Sequence, residues 1–464
     1  MVGMLLGVAM LCKVPLAVTV SWPKTVMGQF TGRIYVFVGR SPDLEPRLGP
    51  DWKSPGPIFI SDVKQAKPDT EVDIDATDAT GLLPSLPSGE YTFQAVIDRN
   101  PASPRVGDGD GNLYSAPVRT RVEFGGAQVK LVCDQVIDEP AIHPTGIVKV
   151  VELESILLSN AQRRSVVWRA ALVLPNEFAS QPDRKFPMVI DIPDRSDSWT
   201  NYPDRDTNKA AYRDGKPVIY LRLDPVSASG YHYLADSANN GPYARALISE
   251  LLPYVAKEYR GDAGRMILTG AGSGAWSALW LQATNPTSFA GCWAFDPDSV
   301  DFHTVHGLNL YADSNALLTV TNGWRSWSRE QHDGWAAHAG EEKVLRGLSL
   351  VGWESDFSPK GKNQKPMPLF DRATGTIDPA VAKAWEGFDL TAYLQGKWNQ
   401  IGKEVGPKLH VFGSEGDLEF RTAALTRLRD ALNSLGGDGM LVRIGPAPME
   451  SIAHAEAAAC YPGR

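Results

Sequence analysis

The residues best suited to covalent chemistry lie together at Gly270-Ala271-Gly272-Ser273-Gly274-Ala275. They follow the apolar run Met266-Ile267-Leu268-Thr269 and precede Trp276-Ser277-Ala278-Leu279-Trp280-Leu281, which reads as strand, very tight turn and helix. This is the setting of a nucleophile elbow, where small residues two before and two after the nucleophile let the strand and helix backbones approach. The turn holds the nucleophile at strained dihedrals, so that its side chain points at substrate. Ser273 has small residues at both flanking positions, and Ser273, Asp417 and His454 follow one another in the order nucleophile, acid, base. Each also has an ordinary reading: helix N-caps for Ser273 and Asp417, and a plain helix residue for His454.

The elements that must position this turn show in the hydrophobic periods. Strand-like runs at 166–174, 187–192, 218–223, 266–269, 292–295, 409–412 and 440–444 alternate with helical runs at 244–259, 275–283, 422–435 and 449–459. Such alternation predicts an α/β fold, with a mainly parallel sheet covered by helices on both faces, over residues 153–464. Residues 306–408 form a polar, Trp-rich insertion longer than an ordinary connection, and are expected to cap the open end of the sheet. Upstream, 16–22, 33–38, 58–63, 71–74, 91–97, 118–124 and 129–133 are short strand-like stretches separated by Pro, Gly and Asp turns. They predict an N-terminal all-β, sandwich-like domain over 15–133, followed by a connector over 134–152.

Length and composition set the outer bounds. The chain has 464 residues and a formal charge of −8, with charges dispersed rather than blocked, which excludes a basic surface for nucleic acid. Its 43 Gly and 34 Pro point to many turns and long ordered loops. Cys12, Cys133, Cys292 and Cys460 lie far apart, without the spacing of a zinc site or a disulfide framework. Beyond the first residues no apolar run approaches the about 20 residues that span a bilayer. Residues 1–14 contain an apolar stretch meeting Lys13 and read as a weak or truncated signal segment, which implies a secreted or periplasmic protein; the other reading is a strand of the first sheet, with a cytoplasmic location left open.

The run Trp276 to Leu281 resembles the elbow of the "Putative esterase" family of α/β hydrolases, which includes enterochelin-esterase-like proteins. Similar segments recur along the chain at Gly111-Asn112-Leu113-Tyr114-Ser115, Ala235-Asp236-Ser237-Ala238-Asn239-Asn240-Gly241-Pro242, Asp298 with Val300-Asp301-Phe302, and Ile377-Asp378-Pro379-Ala380-Val381. The resemblance implies an α/β-hydrolase fold, with an ester-like substrate or other small-molecule ligand and no cofactor. It also places Gly272 on the family's nucleophilic serine, Ser414 on its acid and Met449 on its base. The family's Gly-rich oxyanion loop is matched by Pro193-Asp194-Arg195-Ser196-Asp197, which puts Asp194 where negative charge would develop. Two expectations follow: a catalytically degenerate esterase relative acting as a binding or scaffold protein, or, with the register moved by one, a serine carboxylic-ester hydrolase using Ser273, Asp417 and His454.

The remaining signals are expected to be structural. Gly107-Asp108-Gly109-Asp110-Gly111-Asn112 has the alternating oxygens of a calcium loop but no twelfth-position Glu, and reads as a solvated turn. Asp194, Asp197, Asp296 and Asp298 should approach the open end of the sheet. Trp324, Trp327, Trp335, Trp353, Trp385 and Trp398 serve either an aromatic wall for ligand or packing of the cap. No histidine spacing supports a metal site.

Overall fold

The computed structural model describes residues 16–462, except 42–44, 49–56, 80–85, 101–105, 124–125, 139–141, 143, 196, 202–208, 228–229, 306, 318, 322–323, 327–348, 415–420, 438–440 and 446–448. Asp417 and the apolar residues 1–12 therefore lie outside the described residues. The chain divides into two compact units, one of residues 1–139 with 336–346 and one of 140–335 with 347–464.

The first unit is built from β1 (Leu16–Ser21), β2 (Phe30–Gly39), β3 (Ile58–Ala66), β4 (Val72–Ile74), β5 (Gly89–Ile97), β6 (Leu113–Ser115), β7 (Val118–Val122) and β8 (Ala127–Val136). Alternation along β1 and β8 sends Val18, Val20, Val129, Leu131 and Cys133 into one core with Ile34, Val36, Phe93 and Ile97. Hydrogen bonding runs in a single path, β3-β2-β5-β6-β8-β1-β4, with β7 on β5. β8 makes the junction, because its residues 127–132 pair with β1 and 133–136 with β6. The strands of this unit are thus joined into one hydrogen-bonded sheet through one long strand. Among the described residues the only helical piece of this unit is the turn Pro46–Leu48.

The second unit contains β9 (Val148–Glu154), β10 (Val167–Val173), β11 (Phe186–Ile192), β12 (Ile219–Leu223), β13 (Gly261–Ala271), β14 (Gly291–Phe295), β15 (Leu409–Gly413) and β16 (Leu441–Ile444). Their order is β9-β10-β12-β11-β13-β14-β15-β16. β10 is antiparallel to both of its neighbours, and every other pair is parallel. Eight strands in this order, with only the second reversed, form the α/β-hydrolase sheet. Every residue of β11 and β12 is buried, as continuous apolar runs require when helices cover both faces.

Helices α1 (Ile156–Gln162), α2 (Tyr243–Ala246 continuing through a π turn at Leu247–Leu251 into Leu252–Glu258), α3 (Ser273–Thr284), α4 (Ser349–Phe357), α5 (Pro379–Trp385), α6 (Leu390–Val405), α7 (Arg421–Ser434) and α8 (Met449–Cys460) complete the unit. α3 is buried from Ser273 to Ala283, which explains why its sequence, Gln282 apart, is apolar or small all round over that stretch. Among the described residues no helix is long and apolar enough to cross a membrane.

Two boundaries differ from expectation. β9 begins within the proposed connector 134–152, runs on to Glu154 and pairs with β10 over its whole length, so the second sheet begins at Val148 rather than 153. Its sequence, VKVVELE, carries charges at 149, 152 and 154, which breaks the two-residue alternation of a strand, and it follows a stretch with Pro140 and Pro144, which together masked the strand. At the other end of the insertion, α6 packs on α3 and links parallel strands β14 and β15, so it is the crossover helix of the fold rather than part of a cap.

Candidate active site

The site is the turn between β13 and α3. Gly272 has φ 54° and ψ −121°, a conformation that costs glycine little and strains any other residue. The flanking glycines allow the close approach: a Cβ on Gly274 would lie 1.9 Å from the Ile192 carbonyl oxygen, and one on Gly270 would lie 2.6 Å from the Gly274 backbone. The turn is tied to neighbouring strands by Gly272 N–H donating to the Phe295 carbonyl (2.9 Å) and Asp298 N–H donating to the Gly272 carbonyl (3.1 Å). The backbone is therefore that of a nucleophile elbow, with glycine at the turn.

Asp194 fills the space above it. This residue follows β11, and its Oδ1 accepts the backbone N–H of Ser273 at 2.9 Å. A Cβ built on Gly272 would come 2.0 Å from the same oxygen. In a working elbow the amide after the nucleophile helps to stabilise the oxyanion. Here that amide already donates to a fixed carboxylate. The rest of the loop is held by Tyr231, whose hydroxyl donates to the Pro193 carbonyl (2.9 Å), and by Asp197, which pairs with Arg222.

Ser273 is the first residue of α3 and is fully buried. Its Oγ donates to Asp298 Oδ2 at 2.6 Å and lies 3.3 Å from the Tyr233 hydroxyl. The same Asp298 oxygen accepts from Tyr233 (2.8 Å) and from Arg195 (3.1 Å), and Arg421 approaches the other oxygen at 3.4 Å. Trp353 donates its indole N–H to Tyr233. Burial and the Asp298 charge push the Tyr233 hydroxyl well above its ordinary pKa, so it stays a donor. Ser273 is thus one donor to a buried carboxylate, its hydroxyl proton held by Asp298.

The other expected site residues are dispersed. His454 lies on α8 with its side chain 77% exposed, and its Nδ1 is 3.0 Å from Asp214 Oδ2. No hydrogen bond joins His454 to Ser273 among the described residues. Met449 opens α8 and is 64% exposed. Ser414 follows β15 and donates both its N–H (2.6 Å) and its Oγ (2.9 Å) to Asp296. Asp194 and Asp298 therefore meet at the elbow, Asp296 turns to Ser414, and Asp197 turns to Arg222. Tyr233 and Arg421 had not been singled out for the site, and Trp353 had been read as ligand wall or cap packing and not as a partner of Tyr233. They come from distant segments, and no local spacing marks them.

The weaker signals take structural roles. The Asn112 carboxamide is committed to its own loop, accepting from Arg99 N–H and Asn100 N–H and donating to the Val106 carbonyl. Trp353 and Trp385 are buried. Asp301, His303 and Asp389 bring potential ligand atoms within 4.8 Å of one another. Asp301 is taken up by His303 and Arg427, and Asp389 accepts from Phe302 N–H, Tyr311 and the α6 amide of Ala392.

The sheet topology and the elbow define an α/β-hydrolase fold. Residues 210–343 match the family model described as "Putative esterase", so this stretch of the chain is esterase-like, as the sequence motifs implied. No curated protein matches the chain. Among solved structures, the chain is similar to a ferulic acid esterase, at 10% identity over 67% of this chain and 96% of that one, with a TM-score of 0.39. It is also similar to an S-formylglutathione hydrolase from Agrobacterium tumefaciens (13% identity, 65% and 86% covered, TM-score 0.34). A third similar structure is a fluorophosphonate-binding serine hydrolase from Staphylococcus aureus (14% identity, 68% and 99% covered, TM-score 0.39).

Proposed function

We propose that this esterase-like chain does not turn over esters at its elbow and acts as a binding or scaffold protein of the enterochelin-esterase-like group. The observation that carries this reading is the Asp194 carboxylate on the Ser273 N–H, above a turn residue with no side chain. Acyl transfer needs a nucleophilic oxygen, a base in contact with it, and donors aimed at the developing oxyanion. Gly272 offers no oxygen, the Ser273 hydroxyl is bonded to a carboxylate, and an anion forming at the hole would meet Asp194. Like charges at such close range oppose the transition state that the hole otherwise stabilises.

The test is hydrolysis of p-nitrophenyl acetate and butyrate by the purified full-length chain. The reading predicts a rate equal to that of a heat-killed control. Saturable turnover abolished by Ser273→Ala would overturn it and restore the hydrolase reading with Ser273, Asp417 and His454.

A further inference from the structure

Helix α4 grips one residue of the elbow network at both ends. Asp356 Oδ2 accepts the Tyr233 backbone N–H at 2.6 Å, and Trp353, one turn earlier on the same helix face, donates its indole N–H to the Tyr233 hydroxyl. That hydroxyl donates in turn to Asp298 at 2.8 Å and lies 3.3 Å from Ser273 Oγ. The placement of Tyr233 beside the elbow therefore depends on how α4 is seated.

The seat has an apolar face and a polar seam. Phe357 packs its ring against Trp385 and Phe388, with centroids 5.3 and 5.0 Å apart, and this face anchors the helix. Along the seam with segment 231–242, Ser237 Oγ donates to the Ser355 carbonyl (3.1 Å), Asn239 to the Ser358 carbonyl (2.8 Å) and Asn240 to Asp356 Oδ1 (2.8 Å). The seam is incompletely satisfied: Asn239 Oδ1 and Ser355 Oγ are buried without a hydrogen-bond partner among the described residues. Both atoms would gain bonds on contact with water.

Asp356 is set into this seam, buried, with two neutral donors and, among the described residues, no cation. The groups facing it stay uncharged. Burial pushes the Tyr243 hydroxyl of α2 up to about 12 and the His232 imidazole, stacked on Tyr243, down to about 3. On its own helix, Glu354 turns away to Leu369 N–H and Arg372. A buried carboxylate without a counter-charge is costly when ionised, and burial pushes this one up to about 7. Once the seam parts, water restores an ordinary carboxyl near about 4. The closed seam therefore holds the proton more tightly; it is favoured fully below about pH 4 and progressively less as pH rises to 7.

We propose that Asp356 is a proton-controlled latch: protonated, it keeps the seam closed on Tyr233, and ionised, it lets the seam part and loosens Tyr233 from Ser273 and Asp298. The helix stays anchored through Phe357, so the opening is local. The latch holds whether or not the elbow turns over esters.

Hydrogen exchange of the full-length protein, followed by mass spectrometry at pH 5 and pH 8 and corrected for the intrinsic change in exchange rate, tests it. Peptides spanning 231–242 and 349–358 should exchange at least about tenfold faster at pH 8, while peptides of β11 and β13 change less; linkage allows up to about tenfold per pH unit between the two carboxyl values. This comparison needs no variant. Asp356→Asn keeps the shape of the protonated acid and should hold both segments at pH 8 to the protection they show at pH 5. Equal corrected exchange at the two pH values, an increase shared by the whole chain, or a local increase that survives in Asp356→Asn would overturn the proposal.

Discussion

The Asp194 carboxylate sits on the backbone N–H of Ser273, 2.9 Å away, where the oxyanion of an acyl-transfer reaction would have to form. The residue whose side chain would occupy the remaining space is Gly272, and a Cβ there would overlap the same carboxylate oxygen. Glycine at the turn and aspartate in the loop are therefore sterically matched, and changing one alone is penalised by the other.

Gly272→Ser should destabilise the protein by about 2–4 kcal/mol, from strain at positive φ and overlap with Asp194, and should create no esterase activity. Adding Asp194→Gly should recover part of that loss, because two residues in direct contact are not additive. Urea unfolding of the two single variants and the double variant measures the coupling; simple additivity would contradict the steric match.

Ser273→Ala removes a donor from the buried Asp298 carboxylate. The expected cost is about 1–3 kcal/mol, the range for leaving a buried acceptor short of a partner. A change within about 0.5 kcal/mol in chemical denaturation would show that the hydroxyl contributes nothing to the network.

Much of this was legible in the chain itself. The apolar runs around Met188 and Leu221 announced central strands, and the Gly-x-Gly-x-Gly spacing around Gly272 announced the elbow. A carboxylate-bearing loop could be read at Asp194, but its bond to Ser273 depends on the path of residues 193–197 in space. The Asp298 cluster draws Tyr233, Ser273 and Arg421 from segments that only the folded sheet brings together. α6 was merged into the cap although its signals were present: Asp389 as N-cap, accepting from Ala392 N–H, and Gly406-Pro407 as a stop.

Asp356 gives a pH-dependent prediction. Burial pushes its carboxyl up to about 7, while the N–H of Tyr233 and the amide of Asn240 oppose the shift. A folded-state value above the unfolded one means the native state binds the extra proton, so stability is highest below about pH 4 from this group alone and declines as pH rises toward 7. The slope is at most about 1.4 kcal/mol per pH unit. Asp356→Asn should flatten the decline between pH 4 and pH 7 in thermal melts; an unchanged slope would show that another group governs it.

Active-site labelling tests the central claim most directly. The full-length protein, incubated with a fluorophosphonate probe and examined by intact mass, should show no adduct, and Ser273→Ala and His454→Ala should be indistinguishable from it. A stoichiometric adduct that maps to Ser273, disappears in Ser273→Ala and forms more slowly in His454→Ala would contradict the claim, because it would require the Ser273 hydroxyl to leave Asp298 and meet the imidazole.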